Sequence, residues 1–361
     1  MNTSDILTLR LQNQLLTHSV FSSPEKVIAW FGAVQAQDFT GAKWAIGLRS
    51  RDLIDEQIED AFNQGRILRT HVMRPTWHFV LPKDIRWMLA LTKTRVHMLN
   101  NYYYKQSGLD KATLDTATKI IKESLRENRY VTREELGKRL HKKFNITTDI
   151  NVTIGLMLMY AELEAVVCSG PKRGKQFTYA LLDERVPQKK LMDAEESLAE
   201  LTIRYFQSHG PATLRDFVWW SGLTTRDAEK GIELSASNLN RIKIGELVYW
   251  YVIVENIKRG ESKAYLLPNY DEYIVGYKNR EFIFDSIHTT KLDSRVNPLF
   301  QHTIVLDGKI VGTWKREFTK NAVIINTTLF EPMNKPTDEL LKHASAQFRF
   351  FVNKPVSSER K

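Results

Sequence analysis

The sequence predicts an α+β protein with three tandem helix–helix–hairpin units followed by a mixed β domain. Two observations lead to this prediction. Helical periodicity gives way to β-rich stretches in the same order three times, and the last part changes to strand signals with a closing amphipathic helix. With 361 residues the chain is long enough for several modules. The expected division is 1–105, 106–190 and 191–262 for the three units and 263–361 for the β domain.

A leucine stripe and a capped helix start predict the first two helices. Leu7, Leu11 and Leu15 recur every four residues. The sequence Ser23-Pro24-Glu25 provides a cap, a proline tolerated in the first turn and an acid at the positive end of a helix that should end near Gly32.

A third helix is expected over residues 53–64. The β-rich stretch 67–80, broken by Pro75, follows it. Helix, helix, strand, strand is the order of elements in a winged helix.

The same order recurs in the second unit. A capping box at 132–135 starts one helix, and an apolar segment over 151–163 predicts another. A hairpin over 165–182 follows, and its tip carries Lys172, Arg173 and Lys175.

The third unit has the pattern of a helix-turn-helix. A helix over 198–208 precedes two capped helix starts, at 213–216 and 224–227, with Gly222 between them. One strand is expected over 242–254.

The last part is expected to be a β domain. Strands are predicted over 264–268, 273–276 and 321–330, with a hairpin over 302–315 that turns at Asp307-Gly308. The closing helix is expected over 337–350.

Composition narrows the class of partner. The net charge of +10 favours a polyanion, nucleic acid before an anionic membrane. The single Cys168 excludes an internal disulfide and a four-thiolate metal site, and its apolar surroundings predict a buried, inert thiol. No signal core or membrane-length apolar run is present, which predicts a cytoplasmic protein without a membrane partner.

The candidate catalytic residues are two amides and an acid. Gln35 and Gln37 would point to the same side of an extended segment, with Asp38 on the other side. Two amides aimed at one spot can hold a water molecule or a base edge without charge. The alternative is a polar connector between two helices.

Two further groups have a structural and a functional interpretation. The first expected hairpin carries a polar series that is either paired structurally or a wall beside the glutamines; its members are Arg69, His71, Arg74, Thr76 and His78. The histidines lack the spacing and partners of a metal site. The basic tip at Lys172, Arg173 and Lys175 is either a solvated turn or a contact to DNA phosphates and grooves.

Several segments in order resemble the AlkZ/YcaQ-like DNA glycosylases, a family also known as winged-helix DNA-binding domain-containing proteins. The resemblance covers nearly the whole chain. The matching segments are 10–16, 32–38, 44–49, 69–80 and 267–273.

This resemblance implies three winged helices and a β domain that form a concave DNA-binding surface. It implies excision of N-alkylated purines from double-stranded DNA, in some members unhooking of interstrand crosslinks, with no cofactor, no metal and a monomeric protein. The family's catalytic motif, Gln, an apolar residue, then Gln or Asp, matches Gln35-Ala36-Gln37. Gln at the third position is the form of the branch that acts in self-resistance to DNA-alkylating natural products.

Two other functions stay open on the sequence alone. One is a regulator that binds DNA through its winged helices without catalysis. The other is an inactive paralogue that uses the cleft for protein contacts.

Overall fold

Helices and antiparallel strand pairs alternate along the computed structural model. It describes residues 2–146, 148–188, 192–252, 261–285, 301–320, 322–332 and 335–353. The helices of this part are α1 (Thr3–Asn13), α2 (Pro24–Phe31), α3 (Phe39–Leu48), α4 (Asp55–Asn63), α5 (Pro82–Gln106), α6 (Lys111–Glu127), α7 (Arg133–Lys143), α8 (Ile150–Leu163), α9 (Leu182–Arg185), α10 (Ala194–His209), α11 (Leu214–Ser221), α12 (Thr225–Leu234), α13 (Glu272–Val275) and α14 (Lys335–Phe351). The strands are β1 (Val34–Gln35), β2 (Leu68–His71), β3 (Trp77–Val80), β4 (Val131–Thr132), β5 (Val167–Ser169), β6 (Thr178–Leu181), β7 (Asn240–Ile244), β8 (Leu247–Tyr251), β9 (Ala264–Leu267), β10 (Thr303–Leu306), β11 (Lys309–Phe318) and β12 (Val323–Leu329).

Backbone contacts group these elements into two units. Unit 1 comprises Met1–Glu59, Ala199–Trp220 and Thr224–Lys361, and unit 2 comprises Asp60–Leu198 and Ser221–Leu223. The four-part division expected from the sequence is finer than this grouping and stays a prediction. In the described residues, no helix has the length and apolar character needed to cross a bilayer.

Unit 2 is built on helices α6 to α8 and two small antiparallel sheets. β2 pairs with β3, and β6 lies between β4 and β5. The capping box at Thr132 and Glu135 starts α7 as the sequence predicts, because each side chain bonds the other residue's backbone N–H. The apolar faces of α6, α7 and α8 pack on the sheet of β4, β5 and β6 in one core, which includes Leu114, Leu136 and Met157.

Unit 1 contains a four-stranded antiparallel sheet in the order β12-β11-β10-β9. The predicted hairpin turn is confirmed, since Asp307 and Gly308 both adopt positive φ between β10 and β11. Trp44 of α3 and Trp314 of β11 are buried against Phe348 of the closing helix α14, with ring centroids 5.0 and 5.1 Å away. These rings join α3, the sheet and α14 into one core.

Two strand predictions were wrong. The stretch 273–276 belongs to the short helix α13, because Asp271 caps it by accepting a hydrogen bond from Tyr273 N. The expected strand over 242–254 is a hairpin of β7 and β8 that turns at Gly245, with φ of 58°. Its last two positions lie outside the described residues.

Most other predicted elements are confirmed, and of the described helices with ten or more residues, three were missed, as was the short α9. The helices near 24–31, 55–63, 133–143 and 150–163 and the hairpin of β5 and β6 agree with the sequence patterns. Nothing was predicted for α3, α5 and α6. Cys168 is buried as expected, and burial raises the pKa of its thiol to about 12.

Candidate active site

The glutamine motif lies in the connection between two helices of unit 1. Gly32 ends α2 with a φ of 80°, a conformation that favours glycine, and β1 follows. Asp38 then caps α3, its Oδ1 accepting a hydrogen bond from Gly41 N at 3.0 Å. Local sequence therefore fixes both ends of the motif.

The two glutamines differ in exposure. Gln35 in β1 is buried with 5% of its surface accessible, whereas Gln37 is exposed. They are joined directly, because the Oε1 atom of Gln35 accepts a hydrogen bond from the backbone N–H of Gln37 at 3.1 Å. The buried amide thus holds the backbone that presents the exposed one.

The buried carboxylate of Glu272 supports the glutamine motif. Oε1 of Glu272 accepts a hydrogen bond from Gln35 N at 2.6 Å. Its Oε2 contacts Trp220 Nε1 at 3.0 Å and His209 Nε2 at 3.2 Å. Burial lowers the pKa of His209, although its bond to Glu272 opposes that shift. These contacts satisfy the lone pairs of an acid that is almost fully out of water.

The residue before Glu272 belongs to a second buried network. Asp271 receives two hydrogen bonds from Arg49, at 2.8 and 2.7 Å, and both side chains are nearly inaccessible. Arg49 also donates to Gln14 Oε1 at 3.0 Å. The bidentate geometry fixes the start of α13, and with it Glu272.

Polar groups gather beside Asp38, next in the chain to Gln37. Asn269 lies against Gly41, close enough that a Cβ there would stand 2.9 Å from its Oδ1 atom. Its backbone N–H donates to His302 Nδ1 at 2.9 Å. Within the described chain, Asn269 Oδ1 and an Arg316 guanidinium nitrogen, Nη1, are buried without a hydrogen-bond partner. Each such atom needs a partner that the described chain does not supply, such as a water molecule or a ligand.

Burial lowers the pKa values of two members of this group, His302 and Arg316. The pKa of His302 falls to about 4, mainly because of desolvation and then because of Arg316, while Asp38 opposes the shift. Desolvation also lowers the pKa of Arg316, again opposed by Asp38. His302 is therefore a neutral ring at physiological pH, and with Nδ1 accepting from Asn269, its Nε2 carries the proton.

We expect acidification to destabilise the protein partly through His302. In the unfolded chain the histidine takes up a proton near its ordinary pKa of about 6.5, whereas in the folded protein the pKa of His302 is about 4. The stability this gives is present above the unfolded pKa and is lost as the pH falls through that window. Thermal midpoints measured from pH 7 to 4.5 should fall less in His302→Gln than in the parent. His18→Gln, at an exposed histidine, should keep the parent's full drop. An unchanged pH dependence in His302→Gln would contradict this assignment.

In unit 2 the structure brings together two of the predicted polar residues. The Arg69 guanidinium lies 4.2 Å from the Trp77 ring centroid and 4.9 Å from that of Phe177. His71 packs on the same Trp77, 4.4 Å between ring centroids, and its Nδ1 bonds Glu162 Oε2. Both residues lie on β2, whose pairing with β3 places them beside Trp77.

The other three predicted residues of this series form a local group. The Arg74 guanidinium lies 3.4 Å from His78 Nε2, and His78 Nδ1 lies 2.9 Å from the Thr76 carbonyl oxygen. In the described residues no three His, Cys, Asp or Glu side chains are grouped as metal ligands.

The basic hairpin tip is partly engaged in structure. Arg173 bonds Glu135 at 2.8 Å and the Tyr130 carbonyl oxygen at 2.8 Å, so it braces the tip. Lys172 is half-buried and its backbone N–H donates to Asn63, whereas Lys175 is exposed.

Sequence reasoning missed the residues that support the motif. Segment 267–273 was singled out, but nothing in it identified Glu272 as the acceptor for Gln35, or Asn269 as a neighbour of Asp38. His302 and Arg316 were missed entirely. A histidine just before a buried strand and an arginine among alternating strand residues carry no local signal of function.

The comparisons with known proteins identify the family. The family model described as DNA glycosylase AlkZ-like matches residues 28–351, a span that includes the glutamine motif. This match places the chain among the DNA glycosylases. The chain belongs to the AlkZ-like family of these enzymes, as the resemblance implied.

Two comparisons concern proteins of Streptomyces sahachiroi. An interstrand DNA cross-link repair glycosylase is 24% identical over 332 residues, which is 86% of each chain. The solved structure of the DNA glycosylase AlkZ aligns with a TM-score of 0.81 at 20% identity, covering 99% of this chain and 100% of that one. At this level of identity the structural likeness establishes the shared α+β fold.

Proposed function

We propose that this protein is a monofunctional DNA N-glycosylase that excises cationic N-alkylated purines from double-stranded DNA. The observation that carries the proposal is an exposed Gln37 whose backbone is held by a buried Gln35, itself anchored on Glu272, in a chain of the AlkZ-like family. The proposal keeps the monomeric, cytoplasmic protein that the sequence predicts.

The chemistry suits an amide. A glutamine is too weakly basic to act as a general base. A purine alkylated at N7 or N3 already carries positive charge, so the C1′–N9 bond breaks with its electron pair moving onto the base, which leaves neutral. The sugar becomes oxocarbenium-like, and a water molecule adds to C1′ and loses its proton to solvent. The side chains have to position that water and stabilise the developing charge.

The residues take different parts in this proposal. The Gln37 amide oxygen holds the water, and Gln35 completes the pair while fixing the backbone of Gln37. Asp38 adds negative potential near C1′. Asn269, His302 and Arg316 offer polar groups to the nucleotide beside the motif. The predicted support of Arg69, His71, Arg74, Thr76 and His78, and the concave DNA-binding surface, stay predictions.

Water as the nucleophile is favoured by the state of the lysine on α3. Lys43 is buried, and its amine bonds Asp55 at 2.7 Å and Glu59 at 2.6 Å. An amine held by two carboxylates is a poor nucleophile, since a covalent step through lysine needs a free neutral amine. This argues against a covalent intermediate on Lys43.

The relative from Streptomyces sahachiroi suggests a larger substrate. It is named for interstrand crosslink repair, and a crosslink between N7-alkylated purines presents the same cationic leaving group. We therefore include unhooking of such crosslinks in the proposal.

The decisive experiment is single-turnover incubation with a duplex containing one N7-methylguanine. Release of the free base, with an abasic site left in the strand, is expected. Binding without release from any cationic lesion would favour the regulator instead.

DNA binding through the basic hairpin tip is testable separately. Replacing Lys172 and Lys175 by alanine should weaken binding to an undamaged duplex and reduce the salt slope by about 0.9 for each phosphate that is no longer neutralised. Arg173 is kept because it braces the tip through Glu135.

The matched control is alanine at Lys111 and Lys119, two exposed lysines on α6, which gives the same change in net charge. Equal weakening in both double variants would mean that net charge alone matters. Unchanged affinity in the variant with Lys172 and Lys175 replaced would show that the tip is a solvated turn.

A further inference from the structure

Unit 2 contains a cavity whose lining includes neither Gln35 nor Gln37. Its volume is about 540 Å³, within the range of roughly 300–1,000 Å³ typical of small-molecule sites. It is bordered by α7 and α8, by the hairpin of β5 and β6, and by Trp77 of β3.

One wall is a stacking platform. Trp77, Phe177 and Arg69 all line the cavity, and the guanidinium of Arg69 is layered on the two rings. Aromatic rings and arginine planes are the surfaces on which proteins stack nucleobases.

The rim carries uncompensated positive charge. Arg133 donates to the Asn151 carbonyl oxygen, and within the described chain neither it nor Lys175 forms an ion pair with a carboxylate. The acid on the same rim, Glu134, is paired with Lys138 at 2.8 Å. This arrangement attracts an anion such as a phosphate.

A buried acid lines the cavity as well. Glu162 is 1% exposed, and its hydrogen bonds with His71 use Oε2. A carboxylate that lines a cavity can accept hydrogen bonds from the N–H groups on the edge of a base.

We propose that this cavity binds one nucleotide, with the base against the Arg69, Trp77 and Phe177 platform and the phosphate at Lys175 and Arg133. The proposal goes beyond the excision step, since neither glutamine lines the cavity, although Arg69 and Lys175 are also predicted to support the active site and to contact DNA. The ligand is either a free mononucleotide or a nucleotide extruded from DNA, because both present the same chemistry.

Calorimetric titration with GMP and with guanosine separates the two parts of the site. Phe177→Ala should weaken binding of both ligands about tenfold, since a stacking surface is removed, and Phe177→Trp should restore it. Lys175→Ala should weaken GMP but not guanosine. Lys119→Ala, an exposed lysine on α6 outside the cavity lining, should change neither.

Competition identifies the source of the nucleotide. A duplex with one bulged guanosine should displace GMP if the pocket takes extruded nucleotides, and it should fail to do so if the ligand is free. The proposal would be overturned if neither GMP nor the bulged duplex bound in a way that depends on Phe177. Because the ligands carry no alkylated base, binding is measured without excision, and its failure is distinguishable from a failure of the proposed activity.

Discussion

Replacing Gln37 by alanine is expected to slow single-turnover excision of N7-methylguanine by about a hundredfold, the usual cost of removing one preorganised polar group. Affinity for an undamaged duplex should stay at the parent value. The ordered water matters only as the glycosidic bond breaks, whereas phosphate contacts carry ground-state binding. Gln37 is exposed in the structure, so its truncation should not disturb the core.

Companion variants separate catalysis from packing. Gln37→Asp should retain part of the activity because a carboxylate also accepts from water. Gln35→Ala should also slow excision, because it removes the acceptor for Gln37 N and loosens the backbone of the motif. Thr40→Ala changes an exposed residue in the first turn of α3 and should behave like the parent. Parent rates in both alanine variants would show that the motif is not the catalytic centre.

Local signals in the sequence predicted much of the fold. Capping residues and turn pairs act over three or four positions, so the start of α7 at Thr132 and the turn at Asp307-Gly308 could be predicted directly. The motif was found in the same way, because Gln35 and Gln37 are near neighbours in the chain.

The support of the site could not be predicted, because it depends on distant partners. Gln35 N bonds a carboxylate 237 residues further along the chain. Arg49 and Asp271 are separated by 222 residues. Nothing in either local sequence indicates which charged residues will be buried together, since burial is decided by tertiary packing.

The missed elements have equally physical reasons. The 273–276 stretch has the apolar, aromatic composition of a strand, but Asp271 supplies a cap and starts a helical turn. The helix α3 is buried on most of its surface, so it lacks the polar face whose periodicity would have revealed it.

Unit 1 should be sensitive to loss of the buried Arg49–Asp271 pair. Asp271→Asn keeps the shape and leaves a guanidinium buried opposite a neutral amide, which should cost about 3–5 kcal/mol in the free energy of unfolding. The surface pair of Lys243 and Glu246 in the same unit is the control, and Glu246→Gln should cost less than about 1 kcal/mol. Urea unfolding of each variant gives the comparison.

A double replacement tests whether the unpaired charge is the cause. Arg49→Met combined with Asp271→Asn removes the buried charge and should recover part of the stability that Asp271→Asn alone forfeits. A decrease of less than about 1 kcal/mol in Asp271→Asn would mean that the pair contributes no more than a surface pair. Because Asp271 precedes Glu272, the anchor of Gln35, the Asp271→Asn variant should also slow excision under conditions where it remains folded. The double variant should recover part of the stability but not the excision rate, since methionine cannot restore the bidentate contact that orients the start of α13.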